Sequence, residues 1–180
     1  MTNCAWVDVE TTGLDPQTDF LLEVGIAITT DKDWELLSTR NWVIPFKFDN
    51  ADTNMEIDPV VVAMHHNSNL WNDCASIDTN MYDAGGVETE ILNYLKDCDA
   101  LGSPMYGTTV HFDRAFLKNN LPRVEAAFHY CNFDVSTLKN YWIAVDGKDD
   151  CDCVENEVHR ALPDLMDSIE NLTRFHRRFK

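Results

Sequence analysis

Two acidic residues, separated by a single residue, lie at the end of an apolar strand near the N-terminus. Residues 5–10 read AWVDVE, and the TTG of positions 11–13 follows as a turn. Alternate residues of a strand point to the same face, so Asp8 and Glu10 are expected to lie side by side. Two negative charges this close raise each other's pKa unless a cation lies between them, and a divalent metal ion is the usual partner. The alternative is a pair of solvated acids at an exposed strand end.

Three later residues have the chemistry to join this pair. Asp113 follows a short predicted strand and stands at the start of a helix, while His159 and Asp164 flank the start of the last helix. With His159 on the loop and Asp164 in the first turns, these two side chains can face one cavity. Each also fits an ordinary structural role: Asp113 as an N-cap, His159 as an exposed loop residue and Asp164 as a first-turn acid.

The order of strands and helices predicts how these residues are positioned. Apolar, β-branched runs at residues 5–10, 20–29 and 34–44, joined by short turns, predict an antiparallel meander. Short strands are expected within 101–107 and 132–135, and loops at 67–70, 83–86 and 146–157. Helices are predicted from residue 58 with Pro59 in the first position, over 87–97, from Asp113, from residue 137 with Ser136 as its cap, and over 158–175. This order predicts one α/β domain, a mixed β-sheet flanked by α-helices.

Length and charge limit what such a site could act on. The chain has 180 residues and a net charge of −17, so it can form one core and it repels polyanions overall. A protein that grips long nucleic acid needs a basic face, so this charge favours a short nucleotide held in a local pocket with metal ions. No apolar run reaches the roughly 18 residues of a membrane span, and the acids at positions 8 and 10 interrupt any signal-peptide pattern. We therefore expect a cytoplasmic protein with no membrane partner.

Taken together, the motifs resemble those of a known nuclease family. Asp8 and Glu10 in VDVETTGL, Asp113 in GxxxxxDxxFL, and His159 with Asp164 resemble the signature of the DEDD-type 3′→5′ exonucleases that carry a histidine, which have a ribonuclease-H-like fold. The segment FHYCNFDVSTLK at residues 128–139 is very similar to a block of the oligoribonucleases. The segments at residues 64–70 and 159–162 also follow that family. The resemblance covers nearly the whole chain, so residues 1–180 are expected to form a single exonuclease domain.

The resemblance implies a mechanism and a set of site residues. It implies two Mg²⁺ or Mn²⁺ ions held by Asp8, Glu10, Asp113 and Asp164, with His159 as the general base on the attacking water. It also implies a homodimer and a substrate of short RNA, degraded from the 3′ end, down to dinucleotides, to 5′ mononucleotides. The expected substrate contacts are Leu14 against a base, Thr108, Thr109 and Ser136 as donors to phosphate, Tyr130 reaching the neighbouring protomer's site, and Met64 and His65.

Some positions depart from the family pattern. Cys131 stands where the family usually has an arginine that grips the terminal 5′ phosphate, while Asn69 and Pro163 replace a glycine and an acid. The loop before His159 is acidic, where the family tends to be more basic. These departures concern the choice of substrate rather than the metal site. Two alternatives therefore stay open: a broader exonuclease of the same superfamily acting on RNA 3′ ends or single-stranded DNA, and a non-catalytic nucleotide-binding module.

Overall fold

A five-stranded mixed sheet organises the protein. The computed structural model describes residues 2–46, 57–78, 82–146 and 153–178. Within them the strands are β1 (Cys4–Thr11), β2 (Leu21–Thr29), β3 (Leu36–Val43), β4 (Met105–Gly107) and β5 (Asn132–Asp134). Their order in the sheet is β3-β2-β1-β4-β5. β1, β2 and β3 pair antiparallel, while β4 pairs parallel with both β1 and β5. The predicted meander is confirmed, and the strand that carries Asp8 and Glu10 lies at the centre of the sheet.

Helices accompany the sheet, as the sequence predicts for an α/β domain. They are α1 (Pro59–Asn67), α2 (Leu70–Ser76), α3 (Ala84–Asp97), α4 (His111–Asn120), α5 (Pro122–Glu125), α6 (Val135–Asp146) and α7 (Ala161–Arg178). Pro59 stands at the first position of α1 as expected, and the side chain of Asp58 accepts a hydrogen bond from the Val60 amide. In the described part of the chain, no helix is long and apolar enough to cross a membrane.

Several helix boundaries differ from the prediction. α2 was not predicted, and it forms because Leu70 and Cys74 are buried against Leu22 of β2 rather than because of its own propensity. Asn69, at the end of the predicted loop, has a φ of 63°, a left-handed conformation that asparagine tolerates better than most residues. α3 begins three residues earlier than expected. The side chain of Asp83 accepts a hydrogen bond from the Gly85 amide at 3.0 Å and so caps the helix.

The cap predicted at Ser136 is also wrong. α6 begins at Val135, and the carboxylate of Asp134 accepts hydrogen bonds from both the amide and the hydroxyl of Ser136, at 2.9 and 2.6 Å. The last helix begins at Ala161 instead of residue 158, because His159 has a φ of 50° and cannot continue a right-handed helix. Residues 147–152 of the predicted loop lie outside the described residues.

The two faces of β1 pack against different helices. Ala5, Val7 and Val9 belong to the core cluster that includes residues of α3 and α4, whereas Cys4 and Trp6 belong to the cluster that includes α6 and α7. Because alternate residues of a strand point to the same face, Asp8 and Glu10 lie on the same face as Cys4 and Trp6 and point toward α7.

Two glycines allow the close approaches on which the site depends. A Cβ on Gly25 of β2 would lie 2.7 Å from the Cβ of Ala161, so glycine lets the start of α7 sit directly on the sheet. A Cβ on Gly107 would lie 2.8 Å from the carbonyl oxygen of Val7, so glycine lets the end of β4 reach β1. These contacts bring the first turn of α7 and the residues after β4 to the carboxylate end of the central strand.

Candidate active site

Three carboxylates from two distant parts of the chain meet at this end of the sheet. One oxygen each of Asp8, Glu10 and Asp164 lies within 4.8 Å of the other two. Asp8 and Glu10 come from alternate positions of β1, and Asp164 lies in the first turn of α7. The prediction that Asp8 and Glu10 face the same way is confirmed, and Asp164 joins them as the sequence suggested.

Asp113 lies beside this group but holds a different position from the one its sequence suggested. It is the third residue of α4, and Val110 precedes the helix, so Asp113 is not an N-cap. Its side chain is 3% exposed, and its Oδ1 accepts a hydrogen bond from the Val9 amide at 3.0 Å. That hydrogen bond holds the Asp113 carboxylate against β1, at the residue that separates Asp8 from Glu10.

The acids raise one another's pKa values. Burial raises the pKa of Asp8 well above its usual value, and the charges of Asp113 and Glu10 raise it further. Burial raises the pKa of Glu10 to about 8, with the charge of Asp164 as the next cause. The pKa values of Asp113 and Asp164 are also raised, chiefly by burial. A cluster of carboxylates this close is stable as anions only with cations among them, and oxygen ligands suit Mg²⁺ and Mn²⁺.

A cavity of about 460 Å³ opens over the carboxylates. This volume is in the range of small-ligand sites. Six of the residues predicted for the site line it: Asp8, Thr108, Thr109, Ser136, His159 and Asp164. The other lining residues come mostly from α6, α7 and the segment before α7: Val135, Lys139, Cys153, Val154, Glu155, Asn156, Asp167, Ser168, Asn171 and Phe175.

His159 stands exposed at the edge of this cavity, on the turn that precedes α7. The backbone of His159 is left-handed, a conformation that costs free energy for any residue with a Cβ. The surrounding structure must therefore stabilise this turn at His159. Its positive charge would lower the pKa of Asp164, so the two side chains are close enough to interact.

Arg160 supplies the anchor for that turn. Its guanidinium donates to both carboxylate oxygens of Glu23 at 2.9 Å, to Asp73 at 2.8 Å and to the carbonyl oxygen of Ser68 at 3.2 Å. Glu23 is 1% exposed and also accepts a hydrogen bond from the Ala161 amide. The network joins β2, α2 and the start of α7, next to His159. We did not predict it, although Glu23 is the single charge within the apolar run of β2 and a buried charge requires a partner.

Asn156 is a second residue that the sequence analysis missed. Its side-chain amide donates to Asp164 and to Asp167, at 2.8 Å each, and its backbone amide also donates to Asp167. It therefore contacts a member of the carboxylate group directly. Its signal in the sequence is weak, because asparagine is common in polar loops.

The residues predicted to contact the substrate differ in accessibility. Leu14 and Tyr130 are 83% and 81% exposed, and Met64 is half-buried. His65 is fully buried, and its Nε2 lies 2.8 Å from the carbonyl oxygen of Thr11. The Nδ1 of His65 has no hydrogen-bond partner and lies 3.9 Å from Glu10. Burial lowers the pKa of His65, which favours the neutral ring.

The predicted phosphate donors already have partners within the protein. The hydroxyls of Thr108 and Ser168 lie 2.8 Å apart. The hydroxyl of Ser136 and the backbone amide of Thr109 both donate to Asp134, at 2.6 and 3.0 Å. Asp134 therefore organises the cavity wall formed by the residues after β4 and the start of α6.

Comparison with known proteins gives matches along nearly the whole chain. A family model described as Exonuclease, the RNase T model, matches residues 5–172. An oligoribonuclease of Neisseria meningitidis serogroup C is 32% identical over 181 residues, covering 98% of this chain and 92% of that protein. An oligoribonuclease of Nitrosomonas europaea is 34% identical over 173 residues, covering 94% and 91% of the two chains.

Solved structures share the fold at lower identity. E. coli Exonuclease I in complex with a 5cy-dT13 oligonucleotide matches with a TM-score of 0.73 at 13% identity, covering 99% of this chain and 41% of that one. The zinc-bound form of the E. coli Exonuclease I complex with single-stranded DNA matches with a TM-score of 0.69 at 14% identity and the same coverage. The chain thus spans about two-fifths of the length of Exonuclease I, and the likeness concerns the fold alone.

Proposed function

The chain belongs to the RNase T family of exonucleases and is oligoribonuclease-like, and we propose that it degrades short oligoribonucleotides, down to dinucleotides, from the 3′ end to 5′ mononucleotides. We assign residues 1–180 to one exonuclease domain and expect it to act in the cytoplasm. The observation that carries the proposal is the group formed by Asp8, Glu10 and Asp164, whose carboxylate oxygens lie within 4.8 Å of one another, and of which Asp8 and Asp164 line the cavity.

Four carboxylates are available to hold divalent cations. Asp8, Glu10, Asp113 and Asp164 are the residues that would hold these ions, and the first, second and fourth of them form the group within 4.8 Å. Their raised pKa values support this assignment, since cations would relieve the repulsion among them. Two Mg²⁺ or Mn²⁺ ions, when bound, would neutralise the carboxylates and stabilise the negative charge that develops on the scissile phosphate.

His159 is the group we assign to proton transfer. Histidine exchanges protons near neutral pH, and this side chain lines the cavity close to Asp164. Its ring nitrogen would accept the proton of the attacking water as the water oxygen bonds to phosphorus. The bond from phosphorus to the 3′ oxygen of the preceding nucleotide breaks, and that oxygen takes up a proton.

The surface around the cavity supports a short substrate. The net charge of −17 disfavours long polyanions. We retain for Leu14, which is 83% exposed just beyond β1, the role of stacking against a base. We also retain Met64 and His65 of α1 as substrate-side residues, although neither lines the cavity, and buried His65 would act from behind Glu10.

Oligonucleotides of graded length test which substrate the protein prefers. The protein is incubated with end-labelled RNA and DNA oligomers of graded length in Mg²⁺, Mn²⁺ or chelator. We expect dinucleotides and other short RNAs to be cleaved fastest and chelator to stop the reaction. Cleavage independent of length, or of DNA as readily as RNA, would instead support the broader exonuclease. Binding without cleavage in any metal would support the non-catalytic module.

His159→Ala tests the base. Activity should be lost mainly below alkaline pH, because hydroxide in solution replaces the need for a base when it becomes abundant. The measurement is the pH–rate profile of the variant against the wild type. A profile that keeps its shape after the substitution would argue against this role.

A mixing experiment tests the homodimer and the role of Tyr130, which is 81% exposed. If Tyr130 completes the site of a neighbouring protomer, Tyr130→Ala and Asp8→Asn are each inactive alone. Mixed dimers would contain one site with both native residues, so equal mixing should restore about a quarter of the activity. The control mixes Asp97→Asn, an exposed acid of α3, with wild type. No recovery after subunit exchange would contradict the shared site.

A further inference from the structure

The segment that precedes α7 is held along that helix by side chains spaced along one of its faces. Asp164, Asp167 and Asn171 follow one another at intervals of three and four residues, so they lie on the same face of α7. The carboxylate of Asp167 accepts a hydrogen bond from the Asn156 amide at 2.6 Å. The side chain of Asn171 accepts one from the Val154 amide at 2.7 Å and donates to the Val154 carbonyl oxygen at 2.9 Å. These bonds hold the segment against the helix as one wall of the cavity.

Asn156 reaches from this segment to the carboxylate group. Its side-chain nitrogen donates to Oδ1 of Asp164 and to Oδ2 of Asp167, at 2.8 Å each. The two acids lie close together on α7, so their negative charges repel each other, and the amide bridges them. A carboxylate has lone pairs for several partners, so this contact leaves Asp164 able to bind a metal ion as well. Asn156 thus fixes the direction of one of the carboxylates that would hold metal.

The other end of the same amide holds the turn before His159. The side-chain oxygen of Asn156 accepts a hydrogen bond from the Val158 amide at 2.7 Å, which closes a turn of the Asx type. His159 follows at once, with the left-handed backbone that its surroundings must stabilise. An amide side chain carries a donor and an acceptor on one carbon atom, so Asn156 can hold Asp164 and this turn at the same time.

We propose that Asn156 is a positioning residue that orients Asp164 toward the metal ions and links it to the turn carrying His159. The inference rests on the proposed function, because it takes the carboxylate group as the metal site of a nuclease. Hydrogen bonds to a metal-binding carboxylate hold it in place for the ion, and the loss of such a contact costs about 10- to 100-fold in metal affinity or activity. Asn156 therefore contributes to metal affinity without being a ligand itself.

Equilibrium binding of Mn²⁺, followed by electron paramagnetic resonance, tests this role without relying on activity. Asn156→Ala should weaken Mn²⁺ binding by about 10- to 100-fold. Asn156→Ser should weaken it to a similar extent, because the serine hydroxyl lies one bond closer to the backbone and no longer reaches Asp164. Circular dichroism without metal establishes that each variant is folded, and the serine variant carries the test if the alanine variant unfolds.

Asn171→Ala is the matched control. It removes the two hydrogen bonds that hold Val154 against α7, and within the described part of the chain the Asn171 side chain makes no hydrogen bond with Asp164. It should therefore loosen the segment but change Mn²⁺ affinity by less than about threefold, below the loss expected when the partner of a metal ligand is removed. Equal losses in Asn171→Ala and Asn156→Ala would overturn the proposal, and so would wild-type affinity in both variants of Asn156.

Hydrolysis of short RNA at saturating Mn²⁺ tests the link to His159. Excess Mn²⁺ offsets the weaker metal binding, so the remaining difference reports on the turn. Asn156→Ser should then keep a higher kcat than Asn156→Ala, because the serine hydroxyl can still accept a hydrogen bond from the Val158 amide. Equal kcat values in the two variants would overturn this link.

Failure of the proposed function gives a different result. A wild-type protein that binds Mn²⁺ but cleaves no RNA refutes the proposed function, while the Mn²⁺ affinities of the variants still decide the role of Asn156. A wild-type protein that binds no Mn²⁺ overturns the inference itself.

Discussion

Replacing Arg160 by methionine removes the charge that anchors the turn carrying His159. The guanidinium makes two 2.9 Å hydrogen bonds with Glu23 and one of 2.8 Å with Asp73. Methionine keeps an apolar stem of similar length, so the variant mainly loses the charge and its hydrogen bonds. Among the described residues, Glu23, at 1% exposure, would keep Asn41 and the backbone amide of residue 161 as donors.

The cost in free energy of unfolding follows from the burial of the pair. Removing one partner of a buried ion pair costs about 3–5 kcal/mol, because the remaining charge has lost its counterion. Two donors stay on Glu23, so we expect the lower end, about 3 kcal/mol. The contact with Asp73, whose side chain is 38% exposed, adds at most about 1 kcal/mol. The positive charge of Arg160 also lowers the pKa of Glu10, so the variant should bind metal more weakly at neutral pH.

Urea denaturation measures this cost, with Arg40→Met as the matched control. Arg40 pairs with Glu90 at 2.6 Å, but their side chains are 48% and 56% exposed, so its loss should cost no more than about 1 kcal/mol. Adding Glu23→Gln to Arg160→Met should recover part of the stability, because no buried charge is then left unpaired. Equal costs for the two arginines, or a double variant whose costs simply add, would refute the reasoning.

Three further perturbations test the carboxylate site and its support. Asp8→Asn should abolish hydrolysis, to background level, while circular dichroism shows a folded protein; full activity would contradict the metal assignment. Because the pKa of Glu10 is raised from 4.5 to about 8, the metal-free folded protein binds more protons than the unfolded chain between these values, and its thermal stability should fall as pH rises through that range. Mg²⁺ should reverse this loss at the alkaline end, and Glu10→Gln should flatten the slope; a slope unchanged in Glu10→Gln would count against the raised pKa. Gly25→Ala should cost about 1–3 kcal/mol in urea denaturation and reduce activity, because its Cβ would push Ala161 and the first turn of α7 away from the sheet; a variant with native stability would contradict the packing argument.

Local sequence patterns were sufficient to predict most of the strands and helices. The strands at residues 5–10, 20–29 and 34–44 and the helix opened by Asp58 and Pro59 form within one or two residues of the predicted bounds, because alternation and capping are encoded locally. The misses have tertiary causes. α2 is stabilised by burial against Leu22, and the start of α7 is set by the left-handed backbone of His159. Neither cause can be seen in a window of neighbouring residues.

The candidate site also has a part that the sequence predicted and a part that it did not. Asp8, Glu10 and Asp164 were found from their types, their spacing and a family resemblance, and the structure brings them together. Asp113 was found as well, but its hydrogen bond with the Val9 amide was not predicted, because the two residues lie 104 positions apart in the chain.

What the sequence by itself determined was the chemistry: which residues carry carboxylate and imidazole groups, on which elements they lie, and which family uses such a set. Those properties depend on residue type and on short-range periodicity. What only the tertiary structure decided was the electrostatics of the site. The buried pair of Arg160 with Glu23 and the contact of Asn156 with Asp164 depend on groups far apart in the chain or on a loop without periodicity. Burial, which raises the pKa values of Asp8 and Glu10, is a property of the whole packed fold.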